Sequence, residues 1–159
     1  MSEPRLAVPG ARYHASFLDA LREYHDEGLH TDLRPDVLAD PEAFRRWTEE
    51  ADTPTHRVYW WVAGAHFLGR ARLNLRLTGE LTEFGGHIGY DIRPTARGRG
   101  HATALLRAVL DAARYAGIDR ALLTCAPGNR ASRRVIERNG GVFEDVSAAG
   151  RLRFWCPTG

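Results

Sequence analysis

The stretch Tyr90-Asp91-Ile92-Arg93-Pro94-Thr95-Ala96-Arg97-Gly98-Arg99-Gly100-His101-Ala102-Thr103 constrains this chain more than any other. It reads as a strand, then a loop of glycine and arginine, then the start of an amphipathic helix. Small residues at 98, 100 and 102 let the backbone approach a ligand closely. The first N–H groups of a helix have no intrahelical partner, and together with the helix dipole they bind phosphate oxygens. Arg93, Arg97 and Arg99 add mobile positive charge beside them. The physical expectation is a pyrophosphate cradle. A dinucleotide fingerprint would require G-x-G-x-x-G, and Thr103 stands where its third glycine belongs, which counts against a Rossmann reading. A Walker-type loop requires a lysine, and the chain has none: all 22 of its Lys and Arg residues are arginine.

The flanking sequence supplies an α/β frame. Tyr13 to Glu27 places Phe17, Leu18, Leu21 and Tyr24 at helical spacing. Asp40-Pro41 reads as an N-cap followed by proline at the first helical position of a helix reaching about Ala51. Arg57 to Val62 is β-branched and aromatic, Ala63-Gly64-Ala65 is a turn, and Phe67 to Leu77 returns as a strand. In that strand Ala71, Leu73, Leu75 and Leu77 alternate with Arg70, Arg72, Asn74 and Arg76, which predicts one wet face. A polar loop through Gly79 and Glu83 leads to a strand from His87 to Ile92. Gly100 to Tyr115 is helical with Gly117 as its C-cap. Ala121 to Cys125 has the apolar texture of a buried strand of the parallel kind. Arg130 to Arg138 is a short helix, and a terminal hairpin turns around Ala148-Ala149-Gly150. With 159 residues and no linker or repeat, residues 1–159 are expected to form one domain.

Composition removes several function classes. No apolar run approaches the roughly 20 residues that span a bilayer. The opening residues lack the apolar stretch of a secretory signal, and two cysteines, Cys125 and Cys156, imply no disulfide framework. The expected location is the cytoplasm, with no membrane partner. A net charge of +2 gives no strong field for nucleic acid. His25 and His30 fit no closed zinc set, so no metal is expected. Cys125 reads as core rather than as a nucleophile.

Three motifs in order resemble one family. Arg97-Gly98-Arg99-Gly100-His101-Ala102 looks like the [Q/R]-x-x-G-x-[G/A] loop of the GNAT acetyltransferase superfamily. Gly89-Tyr90-Asp91-Ile92-Arg93-Pro94 is similar to that family's fourth strand, and Asn129-Arg130-Ala131-Ser132 to its N-x-x-S segment. Gly86-His87-Ile88-Gly89-Tyr90, Ile136 to Gly141 and Arg153-Phe154-Trp155 resemble a poorly characterised bacterial branch. The likeness spans about Arg57 to Trp155. It implies a mixed, mostly antiparallel sheet flanked by helices, with a splayed strand pair at a coenzyme site. It further implies acetyl-CoA as cosubstrate and a primary amine of a small molecule as acceptor, attacked directly in a ternary complex. By the same resemblance the amides of Gly98, Gly100, His101, Ala102 and Thr103 hold the pyrophosphate, with Arg97 and Arg99 nearby. The Ile92 backbone pairs with the pantetheine arm, and Asn129 and Ser132 reach its thiol end.

Acetyl transfer to an amine needs a base, donors for the carbonyl oxygen and a proton for the leaving thiolate. His87 is the expected base, since histidine titrates near neutrality and it stands where many relatives carry a glutamate. Glu83 is the second choice; Asp91 follows and reads as structural. The tyrosine that many relatives carry four residues after the serine is replaced here by Ile136, which leaves Ser132, Tyr90 or a water as the acid, or a thiolate that departs without a dedicated one. Arg130, Arg133 and Arg134 read as a solvated helix face. Acceptor recognition falls to the N-terminal helices and to the 29–35 and 77–85 loops. A protein lysine or N-terminus remains open as the acceptor, as does a non-catalytic acetyl-CoA-binding module. The exposed terminal hairpin leaves a homodimer open.

Overall fold

The β-branched and aromatic run at residues 57–62 and the alternating strand that follows it build the centre of the molecule. In the computed structural model, which describes residues 2–159, strands β2 (His56–Ala63) and β3 (His66–Asn74) pair antiparallel around the Ala63 to Ala65 turn. They are flanked by a short β1 (Arg5–Ala7) and by β4 (Ile88–Ile92), giving a sheet of order β1-β2-β3-β4. Because side chains alternate across a strand, this sheet buries two different faces. Trp60, Val58 and Val62 turn towards α1 (His14–Asp26) and α3 (Pro41–Glu49), where Phe17 stacks on Trp60 with ring centroids 4.8 Å apart. Trp61, Ala71, Leu73, Ile88 and Ile92 turn towards α5 (His101–Tyr115).

Asp40 caps α3 by accepting the Ala43 N–H at 2.8 Å, with Pro41 in the first turn, as the sequence predicts. Two short helices, α2 (Pro35–Leu38) and α4 (Gly79–Glu83), lie in segments that read as irregular. Four or five residues are too few to show a period, although Thr78 caps α4 through the Leu81 N–H.

A second sheet, order β5-β7-β6, is built from β5 (Arg120–Cys125), β6 (Val142–Val146) and β7 (Leu152–Pro157), with α6 (Arg130–Arg138) packed against it. The expectation of a parallel-type strand at Ala121 to Cys125 is corrected here. The ladder partner of β5 is β7 and runs antiparallel, from Ala121 opposite Cys156 to Cys125 opposite Leu152. The strand is apolar because both its faces are covered, with Ala121, Leu122, Leu123 and Cys125 all buried.

The wet-face prediction for β3 fails at its last residue. Asn74 is buried, its Nδ2 donating to Gly86 O at 3.0 Å and its N–H to His87 O at 2.7 Å. Beyond it the next residues turn away, so β3 stops short of Leu77.

The two sheets meet at one place. The His87 N–H donates to Leu122 O at 2.8 Å, while His87 C=O accepts from Asn74 in the first sheet. The Gly86 backbone lies so close to β5 that a Cβ there would collide with Leu122 O, and its φ of +62° is one that glycine adopts at no steric cost. Past this junction β4 and β5 share no ladder. The opening between them positions the site.

Candidate active site

Beyond Ile92 the chain makes one 3-10 turn (Pro94–Ala96) and enters α5 through Arg97 to Gly100. Gly98 and Gly100 take φ of +78° and +83°, and a Cβ at either would meet nothing within 4 Å. Glycine is there for the left-handed backbone and not to relieve crowding. No side chain caps α5, and its first bond within the helix region is Ala104 N–H to Gly100 O at 3.2 Å. The N–H groups of His101, Ala102 and Thr103 are therefore donors without an intrahelical acceptor.

The opposite wall is strand β4. Ladder bonding alternates along an antiparallel pair. Asn74 bonds to His87 and Leu68 to Arg93, so Gly89 and Asp91 are also the β4 residues whose backbone groups face β3. The N–H and C=O groups of Tyr90 and Ile92 consequently face the gap. Of these, Ile92 O accepts the Arg97 Nε–H at 3.2 Å.

Helix α6 closes the third side. Asn129 caps it by accepting the Ser132 N–H at 3.1 Å, and the Ser132 Oγ lies 2.8 Å from the Tyr90 hydroxyl. At the far end Asn139, buried, donates to Thr103 O at 3.2 Å and to Val135 O at 3.0 Å, fastening α6 to the first turn of α5. Together these elements form a cavity of about 700 Å³, lined by Tyr90 to Ile92, Arg97, Gly98, Gly100 to Thr103, Asn129, Ser132, Arg134 and Arg138.

Its chemistry follows from the neighbours. Burial pushes the Tyr90 phenol up to about 12, against a smaller opposing effect of the Ser132 hydrogen bond, so it stays a neutral donor. His101 Nδ1 accepts the Trp61 Nε1–H at 3.2 Å, which leaves its proton on Nε2. Partial burial, then the charge of Arg99, pushes the His101 pKa down and keeps the ring neutral.

Several expected site residues stand in this cavity: Ile92, Arg97, Gly98, Gly100, His101, Ala102, Thr103, Asn129 and Ser132. Others do not. Arg99 is exposed and outside the lining. Arg93 is not mobile charge: its guanidinium is held by Glu23 at 2.6 Å and by Phe67 O at 3.2 Å. Arg97 is pinned to Glu27 at 2.8 Å.

His87, the expected base, is placed away from the cavity. The ring is buried and outside the cavity, and its Nδ1 already accepts the Leu122 N–H at 2.8 Å. With the proton on Nε2, no lone pair is left to take another. Glu83 is likewise outside the cavity. Its Oε2 accepts from Ala149 N–H at 3.3 Å and its C=O from Ser147 Oγ at 2.9 Å, tying α4 to the terminal hairpin. Cys125 is a buried thiol whose pKa burial pushes up, consistent with core.

Two cavity residues lie outside the expected coenzyme set: Arg134 and Arg138, one helical turn apart on α6, bring cationic side chains to the wall. The sequence reading places Arg134 on a solvated helix face and Arg138 only at the helix end. It does not single out Asn139, which fastens α6 to α5.

The family model described as an acetyltransferase (GNAT) domain matches residues 17–142 of the chain. No curated protein matches it in sequence. Solved structures with the same fold include Mycobacterium smegmatis RimJ in complex with CoA-disulfide, at 22% identity and a TM-score of 0.68, covering 96% of this chain and 80% of that one. The aminoglycoside acetyltransferase AAC(6')-Ib in complex with coenzyme A and kanamycin aligns at 15% identity and a TM-score of 0.68, over 98% of this chain and 95% of its own. The ribosomal-protein-S5-alanine acetyltransferase from Vibrio fischeri aligns at 13% identity and a TM-score of 0.69, over 99% and 94%.

Proposed function

The chain belongs to the GNAT acetyltransferase family, and from that membership we propose that it transfers the acetyl group of acetyl-CoA to a primary amine of a small molecule, by direct attack in a ternary complex. One observation carries the reading: an uncapped helix N-terminus with left-handed glycines stands across a cavity from a strand edge that has no ladder partner. The free amides of His101, Ala102 and Thr103 suit a pyrophosphate. The outward backbone groups of Tyr90 and Ile92 suit the amides of a pantetheine arm, as a strand suits its neighbour. Arg134 and Arg138 supply charge for the remaining phosphate.

Acetyl-CoA would supply an activated thioester, and the chain's own groups would do the rest. The N–H groups on the gap side of β4 are placed to donate to the carbonyl oxygen. The Ser132–Tyr90 pair, 2.8 Å apart, holds a proton for the departing sulfur. That pair stands in for the tyrosine that Ile136 replaces. Asn129, fixed by its own capping bond, supports the same end of the cavity.

A small acceptor is favoured by the cover over β4. On the face away from α5, Asp91 meets His30, Arg93 meets Glu23 and Arg97 meets Glu27, which narrows the approach. The structural neighbours named above include one acting on aminoglycosides and one on a ribosomal protein, so peptide N-termini belong in the acceptor screen.

The test is thermal unfolding with saturating acetyl-CoA or CoA, using ATP and NAD as controls. A ligand at about a hundred times its dissociation constant stabilises by roughly 2.7 kcal/mol, and the expected upward shift is about 5–10 °C. A shift confined to acetyl-CoA and CoA, followed by amine-dependent thiol release, supports the proposal. No shift in folded protein overturns it.

A further inference from the structure

Outside the residues used so far, one cluster of titratable groups faces the cavity strand from the N-terminal side. His30 lies between α1 and α2, and its Nε2 stands 2.9 Å from Asp91 Oδ2 on β4. Among the described residues it is the only non-glycine with positive φ, at +52°. Its backbone is held there by its own carbonyl, which accepts from His25 Nε2 and from Leu33 N–H, both at 3.0 Å. The Tyr24 ring packs edge-on to the imidazole, with centroids 4.8 Å apart. A residue fixed in an uncommon conformation from three sides points to function more than to filling space.

The two nitrogens of this ring have different fates. Nε2 is committed to Asp91, while Nδ1 makes no hydrogen bond to the protein and the side chain keeps 25% of its exposure. A carboxylate bonded to Nε2 fixes the proton on that nitrogen and leaves Nδ1 with a free lone pair. Asp91 Oδ1 and the Tyr24 hydroxyl, both buried, face one another within the cluster; burial first, and then the carboxylate, push the phenol pKa up and keep Tyr24 a neutral neighbour of Asp91.

Asp91 sits between Tyr90 and Ile92, the two residues whose backbone faces the gap, and itself lines the cavity. We propose that His30, oriented by Asp91, takes the proton from the incoming amine. The proposal rests on the acetyl-transfer reading and replaces His87 in the role of base. As the amine nitrogen attacks the thioester carbon, the C–N bond forms and the C–S bond breaks. The amine proton passes to His30 Nδ1 and then to solvent, and the departing thiolate takes a proton from the Tyr90–Ser132 pair or from water. Asp91 is a positioning residue that selects the tautomer and balances the charge on the imidazolium. The other titratable groups near the ring are Tyr24, packed edge-on to it, and His25, whose Nε2 bonds the His30 carbonyl. Arg70 is the ladder partner of Asp91, and Arg70 and Arg97 are the charges that act on Tyr24 from the same neighbourhood.

The experiment compares wild type with His30→Asn, since asparagine accepts the left-handed conformation, and with Asp91→Asn. Thiol release from acetyl-CoA is followed over pH 5.5 to 9 with glycinamide and with 1,3-diaminopropane as acceptors. ¹⁵N NMR reads the His30 tautomer in the free protein. The wild type is expected to show an unprotonated Nδ1, and kcat/KM that falls as pH falls and the ring protonates. His30→Asn is expected to lose 10²- to 10⁴-fold in kcat and to lose that acid limb, with acetyl-CoA affinity and folding retained. Asp91→Asn is expected to lose kcat and the single tautomer together. Activity within about threefold of wild type in His30→Asn, or an acid limb that survives, overturns the proposal. So does an Nδ1–H tautomer, which also decides the matter if wild type binds acetyl-CoA but uses neither acceptor. Failure of the acetyl-transfer reading shows differently, as a wild type whose unfolding acetyl-CoA does not shift.

Discussion

At His87 the ring Nδ1 accepts the Leu122 N–H while the His87 backbone N–H donates to Leu122 O, both at 2.8 Å. Truncating it leaves a buried amide without a partner and opens space at the junction of the two sheets. His87→Ala is therefore expected to cost about 3 kcal/mol, lowering the unfolding midpoint by about 6–12 °C, with kcat per folded molecule nearly unchanged. A large loss of kcat in well-folded protein would return His87 to the chemistry. The pH dependence has a definite sign. Burial pushes the His87 pKa below its ordinary 6.5, so the unfolded chain binds more protons. Its contribution to stability is complete above about pH 6.5 and is lost as pH falls through the folded-state value. Denaturant midpoints at pH 8 and pH 5 should differ less in the alanine variant than in wild type. Residue identity and strand register made His87 look available. Its exposure and the bond on Nδ1 depend on β5, about 35 residues away in sequence, and no local pattern carries that.

Helix α1 acts on the phosphate-type loop through its acidic face. Glu23 takes the Arg93 guanidinium at 2.6 Å, the Thr95 N–H at 3.0 Å and the Thr95 hydroxyl at 2.8 Å. Partial burial raises its pKa, but the bonds from Thr95 and Arg93 outweigh this, and the net direction is downward from 4.5. This tether is present above about pH 4.5 and is lost as pH falls through the lowered folded-state value. Glu23→Gln is expected to destabilise by about 2 kcal/mol, as for a charge-assisted hydrogen bond, or about 4–8 °C. It should also weaken acetyl-CoA binding several-fold by freeing the turn that leads into α5. Calorimetry at pH 7 with CoA titration checks both, and an unchanged midpoint would show the tether to be idle. The sequence carried the elements that advertise themselves locally, such as α5 with its entry glycines and α3 with its Asp40 cap. It did not carry the use of α1's acidic face. Glu23 and Glu27 prove to be spent on Arg93 and Arg97, and only packing α1 over β4 reveals that. The partner of β5 was misjudged for the same reason: strand pairing across some 30 residues is set by tertiary contact and not by the strand's own texture.

The molecule has two sheets and two apolar clusters, and the arrangement determines whether they melt together. Strands β2 and β3 feed both clusters, with Trp60 and Phe67 on the side of α1 and Trp61 and Leu73 on the side of α5. The α5 cluster in turn crosses the gap between sheets. Leu105, Leu106, Val109 and Leu110 lie in one contiguous core with Ile88 and Ile92 of the first sheet and with Leu123 and Phe154 of the second. Loss of the N-terminal helices would expose Trp60 and Phe67 on strands the other cluster requires. Loss of the second sheet would uncover the side of α5 that packs against β5 and Phe154. Neither part has an apolar interior of its own to fall back on, so the chain is expected to unfold in one cooperative transition, as one domain. The four tryptophans are well placed to test this: Trp47, Trp60 and Trp61 lie with the first sheet and Trp155 with the second. Fluorescence of wild type and of Trp155→Phe, together with far-UV circular dichroism, should give coincident midpoints. Acetyl-CoA should move all of them equally, because its cavity is walled by β4, α5 and α6 at once. Separate midpoints, or a ligand shift confined to one probe, would show that the opening between β4 and β5 divides the molecule into two units rather than one.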